Sequence, residues 1–426
     1  MNRISPWRFV VTFGVVSLLG DVVYQGGRSV TGPLLAHLGA TALVVGLVTG
    51  VGEAAALVFR LVSGPLADRS SHYWAWAMTG YLITAVTIPL LGLAGSLTLA
   101  AALIMAERLG KAARSPAKDA LLAHATAATG RGKGFAVHKV FDQFGAVVGP
   151  MAVALALTLS DGQYASALLW LVVPGALAVG GLGLLRLKAP KPELFELNVE
   201  TSHPQPPQPA RPAPLGAPPA ERSNPPSSST GSAPPVSRQF VALSLFAGVS
   251  VCGFATFGLI AFHLVDRGLL AANLVPVLYA VVMGVDAVVA LGAGLAYDRL
   301  GSKVLVALPL LSAIVPLLAF GGSLWLVAVG AAAWGAAMAL QEATLRATVA
   351  DLITQPKSRA TAYGRFAAVI GLATAIGGTL AGWLYQHSIP ALIGVTVALQ
   401  AVALAVLVSS QPGPWRRPKT EHKPAP

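Results

Sequence analysis

A chain of 426 residues in which 55% are apolar and only 11% charged is not an ordinary soluble domain, where about 25% would be charged. The net charge of +12 would indicate nucleic acid if the basic residues formed one patch on a polar chain. They lie between apolar segments instead, so the expected partner is a lipid bilayer and not a nucleic acid. One cysteine, Cys252, excludes an internal disulfide and a thiolate metal cluster.

Segments near the ~20 apolar residues that cross a bilayer run over 7–36, 42–67, 74–95, 97–115, 134–159 and 165–187, then 240–264, 273–297, 303–321, 324–345, 361–386 and 389–409. The expected fold is an all-α integral membrane protein, twelve transmembrane helices in two six-helix pseudo-symmetric bundles, residues 1–188 and 238–410. The first apolar run follows Arg3 and Arg8 but outlasts a signal-peptide core, so it reads as an uncleaved helix. Residues 189–237, crowded with Pro, Ser and Ala, lack the apolar surface to fold and read as a disordered cytoplasmic linker; residues 411–426 read as a cytoplasmic tail. Lys and Arg cluster at one end of the spans (Arg69, Lys133, Lys188, Arg299, Lys303), while the turns at the other end are short and hold His37, Asp161, His387 and a single Asp266-Arg267 pair. The positive-inside rule then puts both termini in the cytoplasm.

In chain order, helix one carries Asp21, Tyr24 and Arg28 at i, i+3, i+7, a single face. Asp21 lies ~20 Å from either helix end, where a charge costs ~2.5–3.5 kcal/mol unless it meets a partner or a watery cavity. A salt bridge to Arg108 or Arg60 is the alternative to a proton-handling role. Helix two adds Glu53 and closes with GPLADR, in which Gly64 permits close packing and Asp68-Arg69 stand at the mouth. Helix four bears Glu107, Arg108, Lys111, Arg114 and Lys118, a stripe too polar to face lipid, with Glu107 and Lys111 spaced to pair at i, i+4. Helix five brings Lys139, Asp142, Gly145, Gly149 and Pro150, and its small residues would serve equally as a packing seam. In the second half Asp286 stands alone deep in a span, and Phe254, Phe257 and Trp334 supply aromatic wall or ordinary packing.

GPLADR returns as GLAYDR, Gly294 to Arg299, 230 positions after its first copy. Arg131 with Arg359, and Lys118 with Arg346, keep nearly the same offset, so the chain is a tandem duplication. Parallel repeats of this kind are the layout of many transporters, and symmetric gates suit a rocking mechanism. On Gly64, Asp68 and Arg69, and on Gly294, Asp298, Arg299, Gly301 and Lys303, the sequence resembles the major facilitator superfamily of secondary transporters. Ser70 to Trp74 lacks the glycine and basic cluster of that motif. Gly145, Gly149 and Pro150 look like the core of the drug and proton antiporter motif, without its trailing glycines. The runs GGRSVTGPLLAHLGA, GVGEAAALVFRLVSGPLADR and AERLGKAARSPAKDALL resemble a bacterial branch of the superfamily, in which an acid is expected beside Tyr24; here the residue is Gln25.

The leading expectation is a proton-coupled transporter working by alternating access and exporting small amphipathic molecules by antiport. Asp21, Glu53, Glu107 and Asp142 are the proton-coupling candidates; Tyr24, Arg28, Arg108, Phe254, Phe257, Asp286 and Trp334 the substrate-binding ones. Gly64, Asp68, Arg69, Gly145, Gly149, Pro150, Asp298 and Arg299 would gate. The second expectation is a proton symporter importing an organic anion, held by Arg28 and Arg108. The third is a non-transporting receptor or scaffold that signals through the linker. No HExxH, Walker loop or His/Cys ligand set is present, so no cofactor, no metal and no enzymatic activity are expected, and the chain should act as a monomer. The mechanism requires Asp21, Glu53 and Glu107 to line a solvated cleft between the halves.

Overall fold

A computed structural model describes residues 4–195, 238–352 and 356–410. Residues 196–237 and the tail 411–426 lie outside them, and with them the expected disorder of the linker. The described chain folds into α1 (Pro6–His37), α2 (Ala42–Ser70), α3 (Tyr73–Leu91), α4 (Leu97–Thr129), α5 (Arg131–Leu159), α6 (Tyr164–Leu169), α7 (Val172–Lys188), α8 (Arg238–Cys252), α9 (Phe257–Asp266), α10 (Val275–Leu300), α11 (Ala307–Ala319), α12 (Leu324–Leu352), α13 (Pro356–His387) and α14 (Ile389–Ser410). A 3-10 turn, Gly301–Val306, joins α10 to α11.

Ten stretches are long and apolar enough to cross a membrane, and one of them, Val275–Ala319, contains both α10 and α11. The remaining span is α4, whose charges keep it out of any purely apolar count. The total is the twelve spans expected, six in each half. Local chemistry sets their ends. Ser5, Thr41 and Ser96 cap α1, α2 and α4 by accepting from backbone N–H groups in the first turn. Gly130, at φ 90°, separates α4 from α5 in a conformation that side chains resist.

Two departures from the sequence pattern stand out. Helix α4 continues past residue 115 to Thr129, because a helix end outside the apolar zone leaves no hydropathy signal. The sixth and seventh spans are each broken, at Trp170–Leu171 and at Gly253–Thr256, between α6 and α7 and between α8 and α9. The ordered chain also runs beyond residue 188: Ala189 and Phe195 are buried, and Phe195 meets Phe9 edge-on at 5.6 Å between centroids.

Helices approach closely where side chains are smallest. Gly145 and Gly149 of α5 lie against the backbone of α1 at Leu18 and Val22. Pro116 lacks the N–H that would bond the Ala112 carbonyl, and Ser63 of α2 donates to that carbonyl instead at 3.0 Å. Gly64, one residue on, faces the Pro116 ring at 3.9 Å from its would-be Cβ. The first glycine of the repeated motif thus seats α2 on α4.

The buried apolar residues fall into three clusters. One joins both halves at the end marked by His37, with Val30, Leu34 and Leu35 packed together with Phe257, Ile260 and Trp334. At the opposite end, marked by Arg69, each half keeps its own: Phe9, Phe13, Trp74 and Leu121 in the first, Phe246, Leu305, Leu308 and Val349 in the second. Among the described residues the two lobes therefore share one apolar cluster at the His37 end and keep separate clusters toward the Arg69 end, although α2 and α13 still touch at Leu61 and Gly364. At the fused end Gly46 meets the Gly378 carbonyl, Gly382 meets Ala42, and Gly32 meets the Gly258 carbonyl, all without room for a Cβ.

A methyl group at these contacts overpacks the seam, at ~1–3 kcal/mol. Gly46→Val and Gly378→Val are expected to lower the thermal midpoint in detergent and to expose a cysteine placed at Val45 to maleimide. Gly292→Ala, where a Cβ meets nothing within 4 Å, should change neither.

Candidate transport cleft

Between the lobes, toward the Arg69 end, lies a cleft of about 170 Å³ with a predominantly polar wall. The first half lines it with Asp21, Gln25 and Arg28 from α1, Lys111, Arg114 and Lys118 from α4, and Lys139, Asp142 and Gln143 from α5. The second half contributes Met283 and Asp286 from α10 and Met338 and Glu342 from α12. Helix periodicity explains the convergence. Asp21, Gln25 and Arg28 recur at three- and four-residue steps on α1, as Lys111, Arg114 and Lys118 do on α4.

The charges form a chain of contacts. The Arg28 guanidinium reaches the Glu53 carboxylate at 3.0 Å, and Arg108 reaches the same oxygen at 3.5 Å and Glu107 at 3.6 Å. Arg28 donates to the Tyr24 hydroxyl at 3.2 Å, and Arg108 donates to it as well. One turn toward the mouth, Arg114 pairs with Asp21 at 3.2 Å and lies over the Tyr81 ring at 4.4 Å. Another turn on, Lys118 pairs with Asp142 at 3.1 Å. Lys111 differs: its ammonium sits 3.3 Å from the centre of the Tyr24 ring, and among the described residues no carboxylate lies within ion-pair distance of it. On the opposite wall Asp286 accepts from Gln143 at 3.2 Å and likewise lacks a cationic partner among the described residues.

The expected site residues are thus partly gathered. Asp21, Arg28, Asp142 and Asp286 line the cleft, and Glu53 stands behind Arg28 with 30% of its side chain exposed. Glu107 and Arg108 are buried beneath the wall, at 3% and 4%, and Tyr24 is buried under Lys111. Asp21 pairs with Arg114, not with Arg108 or Arg60, since Arg114 is the cation of α4 level with it. Glu107 pairs with its neighbour Arg108 in place of Lys111. Phe254, Phe257 and Trp334 do not line the cleft: Phe254 stacks on Trp334 at 5.8 Å, Phe257 tilts against it at 5.6 Å, and Trp334 donates to the Ala255 carbonyl in the α8–α9 break at 2.7 Å. Asp68, Arg69, Asp298 and Arg299 are exposed at the open mouth, where Asp68 accepts from Tyr73 of its own half at 3.0 Å.

Several participants carry no clear sequence signal. Tyr279 donates to Gln25 across the lobes at 2.9 Å, yet it sits in an ordinary apolar run. His138 lies 3.8 Å from Asp142 and 3.4 Å from Ser17, stacked on Phe13. Its i, i+4 spacing to Asp142 was the available clue.

Comparison with known proteins agrees with this architecture. The Major Facilitator Superfamily model matches residues 18–322 and 277–426, and the chain belongs to that superfamily of membrane transporters. It is 52% identical over 406 residues, 95% of this chain and 93% of the other, to the uncharacterized protein Rv2265 of Mycobacterium tuberculosis. A shorter match, 29% identical over 140 residues, covers 33% of this chain and 35% of an uncharacterized MFS-type transporter, MJ1317, of Methanocaldococcus jannaschii. Among solved structures, a mutant of the nucleoside transporter NupG superposes with a TM-score of 0.71 at 12% identity, covering 93% of this chain and 99% of that one. A POT family transporter in complex with 5-aminolevulinic acid gives 0.68 at 12% identity, covering 94% and 95%. At such identities the structures speak to the fold alone.

Removing one member of a buried ion pair strands the other, at ~3–5 kcal/mol. Arg108→Gln and Arg114→Gln should therefore lower the thermal midpoint clearly, while Lys111→Gln, which strands no carboxylate, should leave it within about a degree of the parent on the usual ~4 °C or less per kcal/mol for large domains.

Proposed function

We propose that this chain is a proton-linked secondary transporter that takes up a small anionic metabolite by symport. The observation that carries the reading is Lys111: a cation with no carboxylate partner among the described residues, set in the wall between Arg28 and Arg114. A carboxylate or phosphate entering the cleft supplies the missing counter-charge, and the guanidinium groups present forked donors to it. As the solute takes a share of Arg28 and Arg114, Glu53 and Asp21 lose compensation. A carboxylate left so in a low-dielectric cleft binds a proton more readily than it stays charged. Solute and proton are then held together and cross together as the lobes rock. Glu107 and Asp142 are the further acids of the same chain of pairs, while Asp286 and Glu342 accept from a donor group at the solute's other end.

Export of amphipathic molecules has less support. Gly145 and Gly149 lie flush on α1, which accounts for the helix-five motif by packing, and the aromatic trio stacks on itself. The basic residues at the open end suit cytoplasmic termini and a cleft open to the cytoplasm, in the inner membrane of a bacterium, with the monomer as the working unit. The gating role of Asp68-Arg69 and Asp298-Arg299 belongs to the opposite state, in which the open mouth closes.

In proteoliposomes loaded with a pH-sensitive dye, under an inward proton gradient, a panel of mono-, di- and tricarboxylates and phosphate esters is expected to contain a solute that speeds acidification. Lys111→Gln should cut that response by about tenfold or more, the equivalent of ~1.4 kcal/mol of binding; Asp21→Asn should keep solute flux but lose its dependence on the gradient. If amphipathic cations alone dissipate the gradient, and Lys111→Gln is fully active, the reading is wrong.

A further inference from the structure

The charges lining the cleft are sorted by lobe. The first half supplies every cation: Arg28, Lys111, Arg114, Lys118 and Lys139. The only charged groups from the second half are carboxylates, Asp286 and Glu342. Pairing then removes most of these charges. Glu53 holds Arg28, Asp21 holds Arg114 and Asp142 holds Lys118, while Arg346 reaches Glu342 at 3.6 Å along α12. Left without an ion pair among the described residues are Lys111 and the exposed Lys139 on one lobe and Asp286 on the other.

The neutral groups on each side are turned to match. Gln143 donates through its side-chain nitrogen to Asp286 at 3.2 Å and to the Met283 carbonyl at 3.3 Å. Those contacts use both amide hydrogens, so the Gln143 carbonyl is left as an acceptor close to the carboxylate. Lys139 and Arg28 act on Asp286 from beyond ion-pair distance, and Glu342 adds a like charge. This wall has acceptors and lacks donors. Across from it the Gln25 carbonyl accepts from Tyr279 at 2.9 Å, which leaves the Gln25 amide hydrogens over, on the same helix face as Arg28. Tyr279 is thus a positioning residue, and the wall it serves has donors to spare.

A carboxylate or phosphate answers Lys111 but is repelled by Asp286. Only a solute that also carries a cation answers both, and a protonated amine brings three N–H donors to a wall of acceptors. We propose that the solute is a small amino acid or aminoalkyl phosphate, its anionic group held by Lys111, Arg28 and Gln25 and its ammonium by Asp286 and Gln143. This rests on the reading of the cleft as an anion-transport site and narrows it. The cleft volume, about 170 Å³, is of the right order, since an enclosed cavity of ~150 Å³ admits benzene. Met283 and Met338 complete the wall with flexible side chains that adapt to carbon skeletons of different length. The arrangement also links binding to movement. A solute with an anionic group alone is gripped by one lobe, whereas one with both groups is gripped by two and favours the state in which they approach.

The test is uptake into proteoliposomes under an inward proton gradient, compared within pairs that differ by the amine: aspartate with succinate, glutamate with glutarate, aminoethyl phosphate with ethyl phosphate. The amino member of at least one pair is expected to be preferred by about tenfold or more, the usual weight of a charge-assisted hydrogen bond. Asp286→Asn, whose amide oxygen still accepts from Gln143, should bring that ratio close to one, chiefly through lost uptake of the amino member. Lys111→Gln should lower both members and keep the ratio. Each ratio is taken within one preparation, so a smaller folded fraction cancels. Equal uptake within every pair, or an Asp286→Asn variant that keeps the preference, would overturn the proposal and leave the anion site standing. Loss of gradient dependence for both members alike in Asp286→Asn would assign that carboxylate to the proton and overturn it as well. Exclusion of all six probes would overturn the class named here, and if Lys111→Gln then left transport of the true solute unchanged, the anion reading would fall with it.

Discussion

A charge taken out of water into a medium of low dielectric must find an opposite charge or give up its proton, and this constraint organises the first half of the molecule. Helix α4 could not sit in a membrane alone. It is tolerated because its cations face α1, α2 and α5, which return carboxylates at successive turns: Glu53 to Arg108, Asp21 to Arg114, Asp142 to Lys118. The ladder is a structural necessity first. The proposed anion site lies where the ladder is incomplete, at Lys111 and across the cleft at Asp286, since an uncompensated group there would be compensated by a bound ligand.

The second half meets the same constraint differently. With few charges, it spends its helix faces on apolar contact, and its broken span, between α8 and α9, puts a backbone carbonyl where a side chain must serve it, as Trp334 does for Ala255. The closed end then depends on short-range packing of glycines against backbone, which leaves no room for a side chain at Gly46, Gly378 or Gly382. The two halves so divide the work: one carries the charge, the other carries the closure.

Much of this was legible in the residues. The repeated Gly-x-x-x-Asp-Arg, the spacing of apolar runs and the polar stripe of α4 gave the duplicated twelve-span architecture, and the i, i+3, i+7 set on α1 correctly pointed inward. What failed were statements about partners and surroundings. Asp21 had several cations within plausible reach, and only the axial register of α1 against α4 selects Arg114. Phe254, Phe257 and Trp334 had the composition of a binding wall, yet their contacts with one another cannot be read from positions about eighty residues apart in the chain. The length of α4 was also hidden, because hydropathy reports where a helix leaves lipid and not where it ends.

Composition and periodicity by themselves determined that the chain lives in a bilayer, that it is two copies of one six-helix plan, and which side chains cannot face lipid. These are one-dimensional properties: transfer free energy sums along a segment, and helical phase follows from residue number. Tertiary structure alone decided which charges neutralise one another, which were left over, and at which end the lobes are fused. Pairing depends on the relative rotation and rise of separate helices, and those are fixed by glycine-sized contacts whose partners lie far apart in the chain, as Ala42 and Gly382 do.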